Sequence, residues 1–234
     1  MGNHLLAALT GEEMRRLRPH LEPVTLQRRA TLHETGSRVL HGYFPTECVI
    51  SMVHVAADGN STEIGVIGNE GCTGASAVAT GGGVPLRAVV RAPGAAFRVK
   101  VAALQAEFRR GGRFQRVLLR YMRAVIGQSA QIAACNRRHS VDQQLCRWLL
   151  SGLDRAADNQ LAMTQEGIAA MLGVRREGVT EAASSLQKAG LIRYSRGRIA
   201  VLSRGRLEAR ACECYKLLRG ETERLVRDVY SAKL

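Results

Sequence analysis

Between Thr164 and Glu181 the chain reads Thr-Gln-Glu-Gly-Ile-Ala-Ala-Met-Leu-Gly-Val-Arg-Arg-Glu-Gly-Val-Thr-Glu, a spacing that admits few folds. Thr164 is placed to cap a helix through its hydroxyl. Ile168, Met171 and Leu172 then fall at i, i+3 and i+4 and make one apolar face. Ala169 is small where a second helix must come close, and Gly173 tolerates the positive φ of a tight turn. In the second helix Val179, Ala182, Ala183 and Leu186 form the inner face. Arg175, Arg176, Glu177, Thr180, Glu181 and Lys188 are left outside. Two helices about a tight turn, the second with a charged outer face, fit the major groove of DNA.

The residues that follow extend this pattern. Gly190 sits where a helix commonly ends. Leu191–Tyr194 and Arg198–Val201 are short strands about a Ser195-Arg196-Gly197 turn, which predicts a hairpin wing. From Gly173 to Arg210 there are nine Arg or Lys against three Glu. Two amphipathic helices that merely pack a core would explain the periodicity alone. The small residue, turn glycine, buried valine and basic wing, in that order, favour DNA reading. The expected DNA-facing set is Thr164, Gln165, Arg175, Arg176, Glu177, Thr180, Glu181, Lys188, Arg196 and Arg198, with 175–189 as the reading helix.

The formal net charge of +14 points to an acidic polymer or surface as partner. Residues 1–133 and 134–234 each carry +7, so the local pattern is more telling than the total. No apolar run approaches the ~20 residues needed to span a bilayer, and no membrane partner is expected. The N-terminus lacks a basic segment followed by a long apolar one, which predicts a cytoplasmic protein. The six cysteines are scattered and read as reduced thiols. Cys212 and Cys214, taken as helical, would not face each other. His139 has no second ligand spaced for it. Neither a metal nor a cofactor is therefore expected. One tryptophan and few other aromatics argue against a base-stacking single-strand binder.

Upstream, Thr10-x-x-Glu13 predicts a capping box opening a short helix to about Leu17. From Val24 to about Lys100 short β-rich runs alternate with glycines. Cys48–Val55 and Thr62–Ile67 flank Asp58-Gly59, a hairpin signal. Leu86–Arg91 and Ala95–Lys100 flank Pro93-Gly94 and are read in the same way. Such spacing indicates an antiparallel sandwich, roll or barrel. Gly65, Gly68, Gly71 and Gly74 recur every third residue and are read as corners, with no helix expected directly after them.

A long helix follows, in which Phe114, Leu118, Tyr121, Val125, Gln128, Ile132, Cys135 and His139 step alternately by four and three. That repeat predicts a coiled-coil seam and a homodimer. Packing of the helix on its own domain is the other reading of the same repeat. Ser140-x-x-Gln143 is a second capping box, beginning a new helix from Val141 to about Leu153. Ser203 to Leu234 read as a terminal helical extension with Leu207, Ala211 and Tyr215 on one face. The resulting division is a sensor over 1–111, a dimerisation helix over 112–139 and a DNA-binding unit over 140–234.

This order of β-roll, long helix and winged helix-turn-helix resembles the cyclic-AMP receptor/fumarate-nitrate regulator (Crp-Fnr) superfamily of bacterial transcription factors. The resemblance spans nearly the whole chain and is strongest from Ser140 to Val201. It implies an α+β fold with an N-terminal antiparallel β-roll of the cyclic-nucleotide-binding kind and a C-terminal winged helix-turn-helix. It also implies double-stranded DNA, a second copy of the chain and RNA polymerase as partners. Arg176-Glu177 matches the family's base- and phosphate-contacting pair. Glu181 stands at a base-reading position that is often Arg, and a carboxylate accepts from cytosine N4 where arginine donates to guanine. The ribose-holding Glu of cyclic-nucleotide-binding members is replaced near Gly74 by Ala75, and the phosphate segment reads Leu86-Arg87-Ala88. The nucleotide pocket therefore looks degenerate. Arg87, Gln128 and Ser129 remain the candidate effector contacts. The cysteine cluster of iron–sulfur members has no counterpart near the N-terminus.

No Ser/His/Asp, metal-ligand or phosphate-loop constellation stands out, so an enzyme is not expected. A sensor acting through protein partners, with nonspecific DNA binding, is the alternative to a sequence-specific regulator.

Overall fold

The computed structural model describes residues 2–155 and 160–231. Helices α1 (His4–Ala7) and α2 (Gly11–Leu17) open the chain, a 3-10 turn following at Arg18–His20. The Thr10 hydroxyl accepts from the Glu13 N–H while the Glu13 carboxylate accepts from the Thr10 N–H, the capping box expected from sequence.

Seven strands then form the roll: β1 (Glu22–Leu26), β2 (Thr31–His33), β3 (His41–Pro45), β4 (Val49–Val55), β5 (Ser61–Ile67), β6 (Arg87–Ala92) and β7 (Gly94–Lys100). A short helix, α3 (Ala75–Thr80), lies between β5 and β6. The strands pair in two antiparallel sheets, ordered β1-β7-β3 and β2-β6-β4-β5. β4 and β5 make the hairpin that Asp58-Gly59 signals. Pro93-Gly94 does not make one: β6 pairs with β2 and β4, and β7 with β1 and β3. Gly94 has φ +156°, and a Cβ there would stand 2.9 Å from the Cys48 nitrogen. The chain changes sheets at a point where two backbones touch, which only glycine permits.

After α4 (Val101–Arg109) comes the 26-residue helix α5 (Arg113–Arg138). It lies against β5, where the Gln128 side chain accepts from the Val66 N–H at 2.9 Å and donates to the Val66 carbonyl at 3.2 Å. Tyr121 donates its hydroxyl to the Cys72 carbonyl at 2.8 Å. Gly65 and Gly71 leave the space that Gln128 and Tyr121 occupy, so these two are seats for α5 rather than simple corners. A helix does begin directly after Gly74, against expectation. It is the six-residue α3, which buries Ala75, Ala77 and Val78 in the core.

The C-terminal part comprises α6 (Val141–Leu153), β8 (Gln160–Ala162), α7 (Gln165–Leu172), α8 (Arg176–Lys188), β9 (Ile192–Ser195), β10 (Arg198–Val201), α9 (Arg204–Arg210) and α10 (Glu213–Tyr230). Ser140 and Gln143 form the second capping box at the predicted place. The terminal extension is not one helix. It breaks at Ala211 and Cys212, whose backbones are extended, and α10 then runs back along α5. Leu225 and Val229 of α10 join the N-terminal core with Phe44, Leu104, Phe114 and Leu118. Arg113 donates to the Val229 and Ser231 carbonyls, and the Tyr230 hydroxyl lies 2.9 Å from His4 Nδ1. A boundary at residue 140 therefore assigns to the DNA-binding unit a helix that packs on the other two. Residues 232–234 of the expected extension lie outside the described residues.

This packing corrects the expected dimer seam. Phe114, Leu118, Tyr121, Ile132 and Cys135 are buried within the single chain, and Val125, Gln128 and His139 are half-buried. Their partners are the roll and α10. A heptad reports that one helix face is covered without saying whether the cover is a second molecule. Among the described residues no helix is long and apolar enough to cross a membrane.

Candidate nucleic-acid interface

Helices α6, α7 and α8 pack around Trp148, Leu149, Ile168, Leu172, Val179, Ala183 and Leu186, with Ile199 and Leu207 completing this second core. The Thr164 hydroxyl accepts from the Gly167 N–H at 3.1 Å and caps α7. Gly173 ends α7 in the left-handed region at φ +67°. Ala169 is buried at the crossing with α8, as its size requires. Burial of Val179, Ala182, Ala183 and Leu186 fixes the rotation of α8 about its axis. Its opposite face therefore has to point outward.

Thr164, Arg175, Arg176, Glu177, Thr180, Glu181, Lys188, Arg196 and Arg198 are all exposed, and Gln165 is half-buried. The Thr180 hydroxyl donates to Gln165 Oε1 at 2.8 Å, tying the start of α7 to the second turn of α8. Arg176 lies 3.9 Å from Glu166, an exposed ion pair that leaves the guanidinium free to exchange partners. The fold gathers Thr164, Gln165, Arg176 and Arg196 around one open groove, joined there by Glu166 and Tyr194. Arg175 precedes the first turn of α8, Lys188 closes its last turn, and Arg198 opens β10.

The wing turns through Arg196 and Gly197, at φ +48° and +74°. Sequence reasoning missed its third strand: β8 pairs with β10, giving the order β8-β10-β9. It also missed Tyr194, whose hydroxyl donates to the Met163 carbonyl at 2.9 Å and whose N–H donates to Gln187 Oε1 at 2.7 Å. The period-2 alternation of Ile192 and Tyr194 was the signal that could have found it.

The helix-turn-helix unit rests against the roll. Thr62 of β5 fills the space beside Gly173, and Arg28 donates to the Ala162 carbonyl at 2.7 Å. A cavity of about 280 Å³ lies between roll, α5, α6 and α10, with Glu63, Glu70, Gln128, Arg147 and Arg155 among its lining. Of the expected effector residues only Gln128 reaches it, and both ends of its amide are engaged by Val66. Arg87 is not among the lining residues. Its guanidinium is held by Glu34 at 2.7 Å on the roll surface, which satisfies it locally. Ser129 is half-buried. The three expected effector contacts are therefore not brought together.

The expectation that His139 has no second donor placed near it needs correction. Cys135, His139, Cys212 and Cys214 converge, their potential ligand atoms all within 4.8 Å of one another. Cys212 is not helical; it precedes α10 with an extended backbone, so its side chain and that of Cys214 can meet.

Residues 143–210 match the Crp-like helix-turn-helix domain family. No curated protein matches the sequence. Similar solved structures include a protein from Eubacterium rectale assigned to the Crp/Fnr transcriptional regulators, 16% identical, covering 88% of this chain and 96% of that one at a TM-score of 0.71. FixK2 from Bradyrhizobium japonicum is also 16% identical, covering 82% and 98% at a TM-score of 0.67. A CRP-family transcriptional regulator from Thermus thermophilus is 21% identical, covering 80% and 96% at 0.65.

Proposed function

We propose that this chain, which has the fold of the Crp/Fnr regulators and a Crp-like helix-turn-helix domain, is a homodimeric, sequence-specific transcriptional regulator. The observation that carries the reading is the single exposed face of α8, with Arg176, Glu177, Thr180 and Glu181 beside the basic wing. In this reading Arg176, Glu177 and Glu181 address base edges, while Arg175, Lys188, Arg196 and Arg198 neutralise phosphates. Thr164 and Gln165, at the start of α7, complete the DNA-facing set. Residues 1–111 form the sensing unit, 112–139 the coupling helix and 140–234 the reader, with α10 folded back across all three.

The dimer face we assign lies on the side of α5 that α10 and the roll leave open. Leu119 and Ile126 are 48% and 70% exposed there. Gly127, Ala130, Ala133 and Ala134 continue the exposed strip and are small enough for a close helix approach. Two-fold symmetry about such a seam places two copies of α8 about one DNA turn (~34 Å) apart, which calls for an inverted-repeat operator.

The effector is not expected to be a cyclic nucleotide. Ala75, where the ribose-holding carboxylate would stand, is buried at the start of α3, and Arg87 is engaged by Glu34. A regulator that has lost ligand binding fits these residues, as does one that senses a different molecule in the cavity near Gln128. Footprinting on DNA sites selected from a random pool tests the reading. A palindromic footprint supports it, whereas binding of all sequences alike favours a sensor that works through protein partners.

A further inference from the structure

Where α5 ends and α10 begins, four side chains with metal-binding donor atoms meet. Cys135 is in the last turn of α5, and His139 follows four residues later on the same side, as its C-cap. Cys212 immediately precedes α10, and Cys214 lies in its first turn. Cys135 Sγ and Cys212 Sγ are 3.6 Å apart, and so are Cys214 Sγ and His139 Nδ1. Around a tetrahedral zinc ion, bonds of ~2.3 Å to sulfur and ~2.0 Å to nitrogen separate neighbouring ligand atoms by about 3.5–3.8 Å. The chain already holds both pairs at that spacing, and all four donor atoms lie within 4.8 Å of one another.

We propose that Cys135, His139, Cys212 and Cys214 form a mononuclear Cys3His zinc site that clamps the start of α10 to the end of α5. The site is closed: the three cysteines are buried and His139 is half-buried, as in structural rather than catalytic zinc centres.

The surroundings suit that assignment. With Nδ1 turned toward Cys214, the other ring nitrogen of His139 lies 3.2 Å from a Glu213 carboxylate oxygen. A metal-bound histidine usually donates its free N–H to such a carboxylate, which fixes the tautomer. Gln131 donates to Cys214 Sγ at 3.0 Å, and Arg147 donates to Cys135 Sγ at 3.2 Å. Arg147 is buried, and it also donates to the neutral Asn136 Oδ1 at 3.4 Å. Three thiolates and one zinc ion sum to a single negative charge, which offsets that buried guanidinium.

The spacing also discriminates among metals. An iron–sulfur cluster interposes its own irons and sulfides between the thiolates and holds them farther apart. Hard divalent ions prefer oxygen donors. Binding converts each thiol to a thiolate, so up to three protons pass to solvent per zinc ion while neutral His139 donates a lone pair. The clamp would fix α10, the helix that covers α5, at the His139-Ser140 hinge between coupling helix and reader.

The test uses the reduced 234-residue chain. Elemental analysis is expected to find about one zinc per chain. Cobalt(II) added to the metal-free protein is expected to give tetrahedral d–d bands and thiolate-to-cobalt charge transfer, bleached by one equivalent of zinc. Glu213→Gln should keep those bands while weakening affinity about 10–100-fold. Cys214→Ser should lose or shift them, and Cys48→Ala, in a separate core, should not. Circular dichroism verifies folding, and if Cys214→Ser does not fold, the wild-type and Glu213→Gln titrations decide. An octahedral cobalt spectrum, bands indifferent to Cys214→Ser, or a folded reduced protein without stoichiometric metal would overturn the proposal. So would a protein that forms a Cys135–Cys212 disulfide yet binds no metal after reduction.

Discussion

The guanidinium of Arg91, on β6, lies 3.6 Å from the ring centroid of Trp148, on α6, and both side chains are almost fully buried. Arg91 also donates to the Trp148 carbonyl at 3.2 Å and faces Glu63 of β5 at 3.5 Å. Glu63 in turn accepts from the Ser51 hydroxyl. Burial brings the Arg91 pKa down to about 10, which leaves it cationic at neutral pH. One cation thus joins the roll to α6, in a setting where cation–π attraction reaches ~2 kcal/mol.

Removing that cation strands a carboxylate. Arg91→Ala is expected to destabilise the chain by about 3–5 kcal/mol, because Glu63 stays buried without its partner. Pairing Arg91→Met with Glu63→Gln should recover part of the loss. Denaturant midpoints of the wild type, both single variants and the double variant measure the coupling. Additive losses would mean that the two charges do not interact.

Two isoleucines on α5 distinguish intrachain packing from the proposed intermolecular seam. Ile126 is 70% exposed in one chain and Ile132 is 2% exposed. Ile126→Glu is expected to give a folded monomer at micromolar concentration by sedimentation. Ile132→Glu should instead lower the thermal midpoint, since burying a charge without a partner costs several kcal/mol. A folded Ile126→Glu dimer would place the seam elsewhere.

The proposed reading head predicts two kinds of loss. Arg176→Ala should cost about 1–3 kcal/mol and relax base preference at one position in each half-site. Arg196→Ala should weaken all sequences alike and reduce the salt slope by about one unit for each phosphate it no longer neutralises. Site selection from random DNA, with titrations at several salt concentrations, distinguishes them. Unchanged preference in Arg176→Ala would remove it from the base-reading set.

Acid should destabilise the roll through His33. Burial lowers its pKa from 6.5 to about 4, and its Nε2 has no hydrogen-bond partner among the described residues. Between those values the unfolded chain binds a proton that the folded one refuses. Stability should therefore fall as pH drops from about 6.5 to 4, by up to on the order of 3 kcal/mol. His33→Gln should flatten this part of the melting-temperature profile. An equal slope in that variant would assign the acid sensitivity to other groups.

Local signals were legible without the fold. Thr10-Glu13, Ser140-Gln143, Thr164 and Gly173 each mark a helix end through bonds made within a few residues, and all four stand where sequence puts them. The outer face of α8 was equally readable, because burying Val179, Ala183 and Leu186 leaves Arg176 and Glu181 only one direction to point.

Long-range choices were not legible. Pro93-Gly94 has the composition of a hairpin turn, yet the strands it joins pair in different sheets, because partners are chosen by packing across the roll. The Phe114–His139 repeat, expected to be a dimer seam, marks a face that is covered within the chain. That α10 and the roll supply the cover was decided by the break at Ala211-Cys212, which turns the last helix back on α5. The same fold-back carries Cys212 to Cys135, 77 residues away, and Cys214 to His139, 75 residues away. Periodicity and capping are properties of a chain segment, so the sequence determined the elements and which face of α8 is exposed. Which faces meet depends on competition among all the apolar surfaces at once, and only the tertiary structure resolved it.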